Sequence, residues 1–241
     1  YGKAHNNRGV VGNSIGSKGI VRIESDKEEA LVLPTENQVL WLDAKDAATV
    51  VRYSGSYIKQ WTDKSPEANH AKAQSPTGTG YMPTYDQIYV NGNPAIYFPN
   101  QYNKRLKLSK AMRLGETDFT VYILAYHKET RSVFMGDGST SYRYGIDFKY
   151  YDNKQELSYN DDKPRVIGQK TQSTHKWNIY VYERERNREI RLYDINGLDK
   201  KDATLEGGVD KSYNVNQRFW IGGNGYNNSH NYSQYRNSRH G

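Results

Sequence analysis

Short runs of alternating apolar and polar side chains, broken by turn residues, recur from Val39 to Ile221. The clearest lies at 118–127, where Phe119, Val121, Ile123 and Ala125 alternate with Thr120, Tyr122, Leu124 and Tyr126. A period of two places one set of side chains on a core and the other on the opposite face of a strand. Trp177, Ile179 and Val181 alternate in the same way with Asn178, Tyr180 and Tyr182, and Ile190 and Leu192 with Arg191 and Tyr193. Arg186-Asn187-Arg188 and Asp194-Ile195-Asn196-Gly197 supply the turns that end these runs. Segments 131–135, 142–150, 165–169 and 218–221 add further strands, and only 109–114 suggests a helical turn. Many short strands with almost no helix predict an all-β sandwich or barrel.

Residues 1–36 show a different pattern. Gly, Asn, Ser and Lys dominate up to Gly19, then Ile20-Val21-Arg22-Ile23 and Leu31-Val32-Leu33 flank a charged turn, and Pro34-Thr35-Glu36 forms a hinge. This predicts an extended N-terminal arm and linker over 1–36, ahead of one β domain over 37–241. An arm of this kind either docks onto a neighbouring subunit or is a floppy terminus, which is at least as common. The chain opens on Tyr1 rather than Met, the mark of a processed or partial chain.

Composition sharpens this picture. Hydrophobic residues make up only 35%, yet there are 22 Tyr and 21 Gly in 241 residues. That mixture suits strands with many turns and an aromatic surface rather than a helical bundle. Cysteine is absent, which removes disulfides, zinc–cysteine sites and thiol nucleophiles together. No apolar run approaches the length of about 20 residues that spans a bilayer. The net charge of +7 admits polyanionic partners. Because Lys and Arg are dispersed among acids, as in Glu183-Arg184-Glu185-Arg186, nucleic acid is not the expected one.

Five pieces carry a family resemblance in order: Val39-Leu40-Trp41-Leu42-Asp43-Ala44-Lys45-Asp46, Gln60-Trp61-Thr62-Asp63-Lys64-Ser65 before Asn69-His70-Ala71, Met82-Pro83-Thr84-Tyr85 before Asn91-Gly92-Asn93-Pro94-Ala95-Ile96-Tyr97-Phe98, Phe119-Thr120-Val121-Tyr122, and Trp220-Ile221-Gly222-Gly223. Over residues 38–223 the chain resembles the laminin-G-like and concanavalin-A-like jelly rolls of phage particle and bacterial surface proteins. The resemblance implies a two-sheet antiparallel sandwich with binding loops and no fixed activity, in which residues 39–46 are the opening strand. Within it, Trp41 and Trp61 are expected to anchor the two sheets, and Asp43 and Asp63 to satisfy turn amides. After Gly223 no closing apolar strand is visible, which leaves the sandwich incomplete unless the arm or a neighbouring subunit fills the gap.

Candidate chemistry is thin. Gly12-Asn13-Ser14-Ile15-Gly16 fits a hydrolase nucleophile pattern, but it lies in the glycine-rich arm without the strand and helix that expose such a serine. Glu183 and Glu185 share a strand face, as glycosidase acids do, but Asn187 stands where a third acid of that pattern would follow, and the flanking arginines favour a solvated hairpin end. The six histidines never form a close ligand pair. Calcium is the ion that the loops around Asp137 and Asp161 would take, though neither is a strict calcium loop and ordinary turns are the simpler reading. The loop carrying Tyr226, Asn228, Tyr232 and Tyr235 mixes rings with adaptable amides, chemistry suited to sugars. Tyr142 and Tyr144, and the stretch Tyr150-Tyr151-Asp152-Asn153, have similar character. The expectation is a non-enzymatic recognition or structural component of an extracellular assembly. A phage virion protein touching other subunits and surface glycans comes first, a secreted bacterial carbohydrate-binding or adhesion module second, and a glycosidase-like enzyme using Glu183 and Glu185 last.

Overall fold

The computed structural model describes residues 37–90, 92–99, 104–112, 114, 118–126, 131–136, 146–159, 165–172, 174–185, 190–194, 197–202 and 218–223. The chain divides into two units, Tyr1–Gln38 and Val39–Gly241, and every described strand lies in the second. These strands are β1 (Val50–Ser54), β2 (Tyr57–Trp61), β3 (Ala71–Ala73), β4 (Thr84–Val90), β5 (Asn93–Tyr97), β6 (Leu106–Leu108), β7 (Phe119–Tyr126), β8 (Arg131–Gly136), β9 (Ile146–Tyr151), β10 (Lys154–Tyr159), β11 (Arg165–Ile167), β12 (Trp177–Arg184), β13 (Ile190–Asp194), β14 (Gly197–Asp202) and β15 (Trp220–Ile221). The larger sheet runs β11-β10-β9-β8-β15-β6-β3-β2-β4-β5, with β1 paired to β2, and the smaller runs β14-β13-β12-β7. Every described pairing is antiparallel. The fold is the expected all-β two-sheet jelly-roll sandwich.

Turn chemistry fixes the hairpins. Asp152 and Asn153 both have positive φ between the paired Tyr151 and Lys154, the signature of the two-residue turn that matches strand twist. Tyr150-Tyr151-Asp152-Asn153 is therefore a hairpin corner. Tyr150 itself is buried, and its hydroxyl donates to the Gln172 carbonyl at 2.7 Å, so it is not a ligand-facing ring.

The face that β12 buries decides the character of the core. Tyr180 and Tyr182 point inward, whereas Ile179 and Val181 on the same strand are only half-buried. Across the sandwich Tyr182 meets Phe148 edge-on at 5.0 Å, Tyr180 packs on Phe134 at 4.8 Å, and Tyr150 meets Tyr180 at 6.2 Å. Such ring pairs stabilise beyond their area alone. Two polar groups among them reach backbone carbonyls: the Tyr182 hydroxyl donates to the Lys149 carbonyl at 3.0 Å, and Gln155 Nε2 on β10 donates to the Val181 carbonyl on β12 at 2.9 Å. Leu106, Leu108, Leu157, Ile190, Leu192 and Phe219 complete this interior.

Three expectations are corrected. The core is centred on tyrosine and phenylalanine, not on Trp41 and Trp61: Trp61 is half-buried against two clusters, and Trp41 lies with the Lys64 ammonium 4.7 Å from its ring centre. Residues 39–46 form no strand, because the Trp41 amide donates to Asp63 Oδ1 and its carbonyl accepts from Lys64 N. The described part of 109–114 is not helical either. The Ser109 amide and hydroxyl both donate to the His70 carbonyl, and the Lys110 amide to Asn69 Oδ1, which ties the segment to the 62–70 loop. The region expected to lack a closing strand, after Gly223, lies outside the described residues.

Asp63 and Gly222 explain two pieces of the sequence pattern. Asp63, 5% exposed, accepts from the amides of Trp41, Ser65 and Asn69 and from the Ser65 hydroxyl, which makes it a buried organiser of the loop. Asp43 accepts from the Lys45 amide as expected. Gly222 has φ of +78°, and a Cβ there would lie 2.1 Å from the Phe98 ring. We expect Gly222→Ala to cost about 2 kcal/mol or more in urea denaturation, since both the torsion and the space exclude a side chain. Tyr182→Phe should cost about 1–2 kcal/mol by removing the buried hydrogen bond to the Lys149 carbonyl.

The same rings set a pH dependence. Burial, reinforced by neighbouring rings, pushes the Tyr182 and Tyr180 hydroxyls far above the ordinary value of 10.0. Both ionise in the unfolded chain near pH 10 but stay protonated in the fold. Their contribution is fully present below that pH and is lost as pH climbs toward the folded values. Unfolding free energy measured by urea should therefore fall as pH rises past 10, and fall less steeply in Tyr182→Phe.

Candidate functional site

The outer face of the larger sheet concentrates positive charge at the point where β3, β6 and β15 adjoin. Core-facing residues there are Ala71, Leu106 and Leu108, so the alternating positions Lys72 and Lys107 project from the other face. Register places Lys72 opposite Lys107 and Lys107 opposite Trp220. Neighbouring strands lie about 4.8 Å apart, so the three side chains form one row. They border a groove of about 560 Å³, whose lining also includes Gln74, Ser109 and Arg218.

Trp220 holds the cluster together. The ring is 8% exposed, with the Arg105 guanidinium 4.0 Å and the Lys107 ammonium 5.0 Å from its centre. The negative face of an indole attracts both cations, and partial burial strengthens that attraction. The ring is thus a platform for charge rather than an open stacking surface. Burial pushes the Arg105 guanidinium down to about 10, so it stays protonated at neutral pH. Lys107 is lowered by burial first and then by the like charges of Arg218 and Arg105. Among the described residues, no carboxylate forms an ion pair with Lys72, Lys107 or Arg218. Cations gathered this closely form a site that an anion would relieve.

The sequence did not single out these residues. Lys and Arg are dispersed along the chain, and that dispersal is overturned locally in space, because 71–73, 106–108 and 218–221 come from distant segments. The only signal was the single cation inside Ala71-Lys72-Ala73 and Leu106-Lys107-Leu108, where flanking apolar residues mark the lysine as outward.

Glu183 and Glu185 do share a side, and Arg191 joins them. Its guanidinium donates to both oxygens of Glu185, at 2.6 and 3.0 Å, and lies 3.5 Å from Glu183. Tyr193 donates its hydroxyl to Glu183 at 2.9 Å, and burial followed by that carboxylate pushes the phenol up to about 12. Glu183 is 7% exposed, so this end of the hairpin is not the solvated one expected. The two acids are tied into a cross-strand network. Arg191→Ala should destabilise the fold by about 2–3 kcal/mol in urea denaturation, because it strands a buried carboxylate.

The remaining candidates, Tyr226, Asn228, Tyr232, Tyr235, Tyr142, Tyr144, Asp137 and Asp161, lie outside the described residues. Among the described residues no group of three or more His, Asp or Glu side chains is placed to hold a metal ion, and no helix is long and apolar enough to cross a membrane.

No protein-family model matches the chain, and no curated protein does. Among solved structures it is similar to domains LG4-5 of the mouse laminin alpha1 chain, at 16% identity over 46% of this chain and 28% of that one, with a TM-score of 0.34. It is also similar to the binding domain of Paraclostridial mosquitocidal protein 1, at 10% identity over 69% of this chain and 44% of that one, with a TM-score of 0.47. The chain thus spans less than half the length of either structure.

Proposed function

We propose that this chain is a non-catalytic recognition module of an extracellular assembly, most specifically a phage virion, and that it binds an acidic glycan in the groove beside Trp220. The observation that supports this is the gathering of Lys72, Lys107 and Arg218 along one groove beside Trp220, whose ring also has the Arg105 guanidinium 4.0 Å from its centre. Sulfate or carboxylate groups along a polysaccharide would meet a row of cations spaced by the strand separation. Among the described residues, the cluster occupies one short groove rather than a long basic track. That favours a few charged sugar units over a nucleic-acid backbone, which needs many phosphate contacts. Glu183 lies in β12 of the other sheet and Glu185 directly follows that strand, so this pair of acids is not part of the groove lining. Calcium in the loops of Asp137 and Asp161 is a separate proposal, tested by comparing glycan binding before and after chelation.

Two substitutions separate recognition from structure. Lys72→Met with Lys107→Met should weaken binding to a sulfated polysaccharide at least about tenfold, while leaving stability unchanged or slightly raised by relief of like-charge repulsion. Binding should also weaken with salt. Calorimetric titration against a sulfated polysaccharide, a polyuronate, neutral dextran and single-stranded DNA reads this directly. Equal affinity for dextran and the sulfated chain, or wild-type affinity in the double variant, removes the proposal.

A further inference from the structure

The described sheets end in five outer strands, and four of them carry a recognisable block against further pairing. β5 contains Pro94, which lacks the amide a ladder needs. β1 is interrupted by two register shifts within five residues. β11 is only three residues long and begins with Arg165. β14 carries Asp199, Lys200, Lys201 and Asp202. Short length, bulges, proline and charge are the devices by which proteins protect open edges.

β7 has none of them. It is the outermost described strand of the smaller sheet, eight residues long, and pairs with β12 over all eight positions without a register shift. Its sequence, Phe119-Thr120-Val121-Tyr122-Ile123-Leu124-Ala125-Tyr126, contains neither charge nor proline, alone among the described strands of more than two residues. In a chain that is 25% charged this is a marked gap. In an antiparallel ladder every second residue points its N–H and C=O away from the neighbouring strand, so half of β7's backbone groups face outward beyond β12. The side chains beside that edge are apolar as well as exposed: Leu124 is 56% and Tyr122 40% exposed.

We infer that β7 is an interface strand and that its occupant is the β7 of a second copy of this chain. An antiparallel strand can pair with itself about a two-fold axis, which gives a closed dimer from one surface patch. Such an axis, perpendicular to the sheet, keeps outward side chains opposite outward ones, so Tyr122 and Leu124 of one copy meet Thr120, Tyr122 or Leu124 of the other. A charged strand placed opposite itself would repel, whereas this one carries no charge. The product is a continuous eight-stranded sheet running through both copies. The Trp220 grooves lie on the larger sheets, away from the joined edge, so both remain available to ligand.

The test uses exposed positions and the natural device for closing an edge. Sedimentation velocity of the full chain across micromolar concentrations should show a dimer. Thr120→Lys with Leu124→Lys should raise its dissociation constant by roughly tenfold or more, with an unchanged circular-dichroism spectrum and unchanged polysaccharide binding. The matched variant Thr120→Glu with Leu124→Glu should pair with the lysine variant when the two are mixed. Hydrogen exchange at the β7 amides should slow as concentration rises. If the lysine variant misfolds, the exchange measurement on the wild-type chain decides alone. A wild-type monomer overturns the inference: protected β7 amides in it would mean that the chain's own residues cover the edge, and fast exchange that another protein's strand does. A dimer that persists unchanged in the folded lysine variant overturns it too.

Discussion

The sandwich depends on burying tyrosine without stranding its hydroxyl. Tyr150, Tyr180 and Tyr182 fill the space between the sheets where aliphatic side chains would ordinarily sit. A phenol is wide enough to reach across that space, but it brings a polar atom into a place where an unpartnered one is costly. The fold resolves this by directing hydroxyls at backbone carbonyls. The Tyr182 hydroxyl reaches Lys149, Tyr150 reaches Gln172, and in the smaller apolar cluster Tyr85 reaches Ala44. Each bond demands a particular distance and direction, so it fixes the relative placement of the segments it joins more narrowly than apolar contact alone. This also explains how a chain with so few hydrophobic residues holds two large layers together.

The same logic of one aromatic residue ordering several polar groups recurs outside the core. Trp220 is nearly buried, yet it faces away from the interior, and its ring gathers cations that would otherwise spread apart. Its position is set by Gly222 two residues later, whose amide donates to the Phe134 carbonyl at 2.7 Å and whose missing side chain admits the Phe98 ring. Core and groove therefore share a frame: Phe219 belongs to the interior, Trp220 to the outer face, and Ile221 packs inward again.

Much of the fold was legible because strand alternation is local. The strands around Phe119, Trp177 and Ile190 follow directly from a period of two. The Asp152-Asn153 corner does not, because its residue types equally suit a binding loop and only the positive φ of both marks the turn. The choice of inward face on β12 was not legible, since Tyr180 and Ile179 are both plausible core residues and only the opposing Phe134 and Phe148 decide between them. The structural role of Asp63 could be anticipated from its place after Trp61, although its bond to the Trp41 amide, 22 positions away, could not. The groove was hidden for a related reason. Cations distant in sequence converge only because the sheet order sets β3, β6 and β15 side by side, and no linear pattern encodes sheet order.

That order has a kinetic side. β15, the last described strand in sequence and only two residues long, sits in the middle of the larger sheet and bonds β8 on one flank and β6 on the other. Among the described strands, the β1–β6 block and the β8–β11 block have no direct ladder between them. They can form early and separately, yet they become one layer only when Trp220 arrives. Closure across so much intervening chain carries the loop entropy that slows folding. During synthesis the two blocks must wait on the ribosome with their inner flanks exposed, and a keystone of two residues governs when the layer is complete.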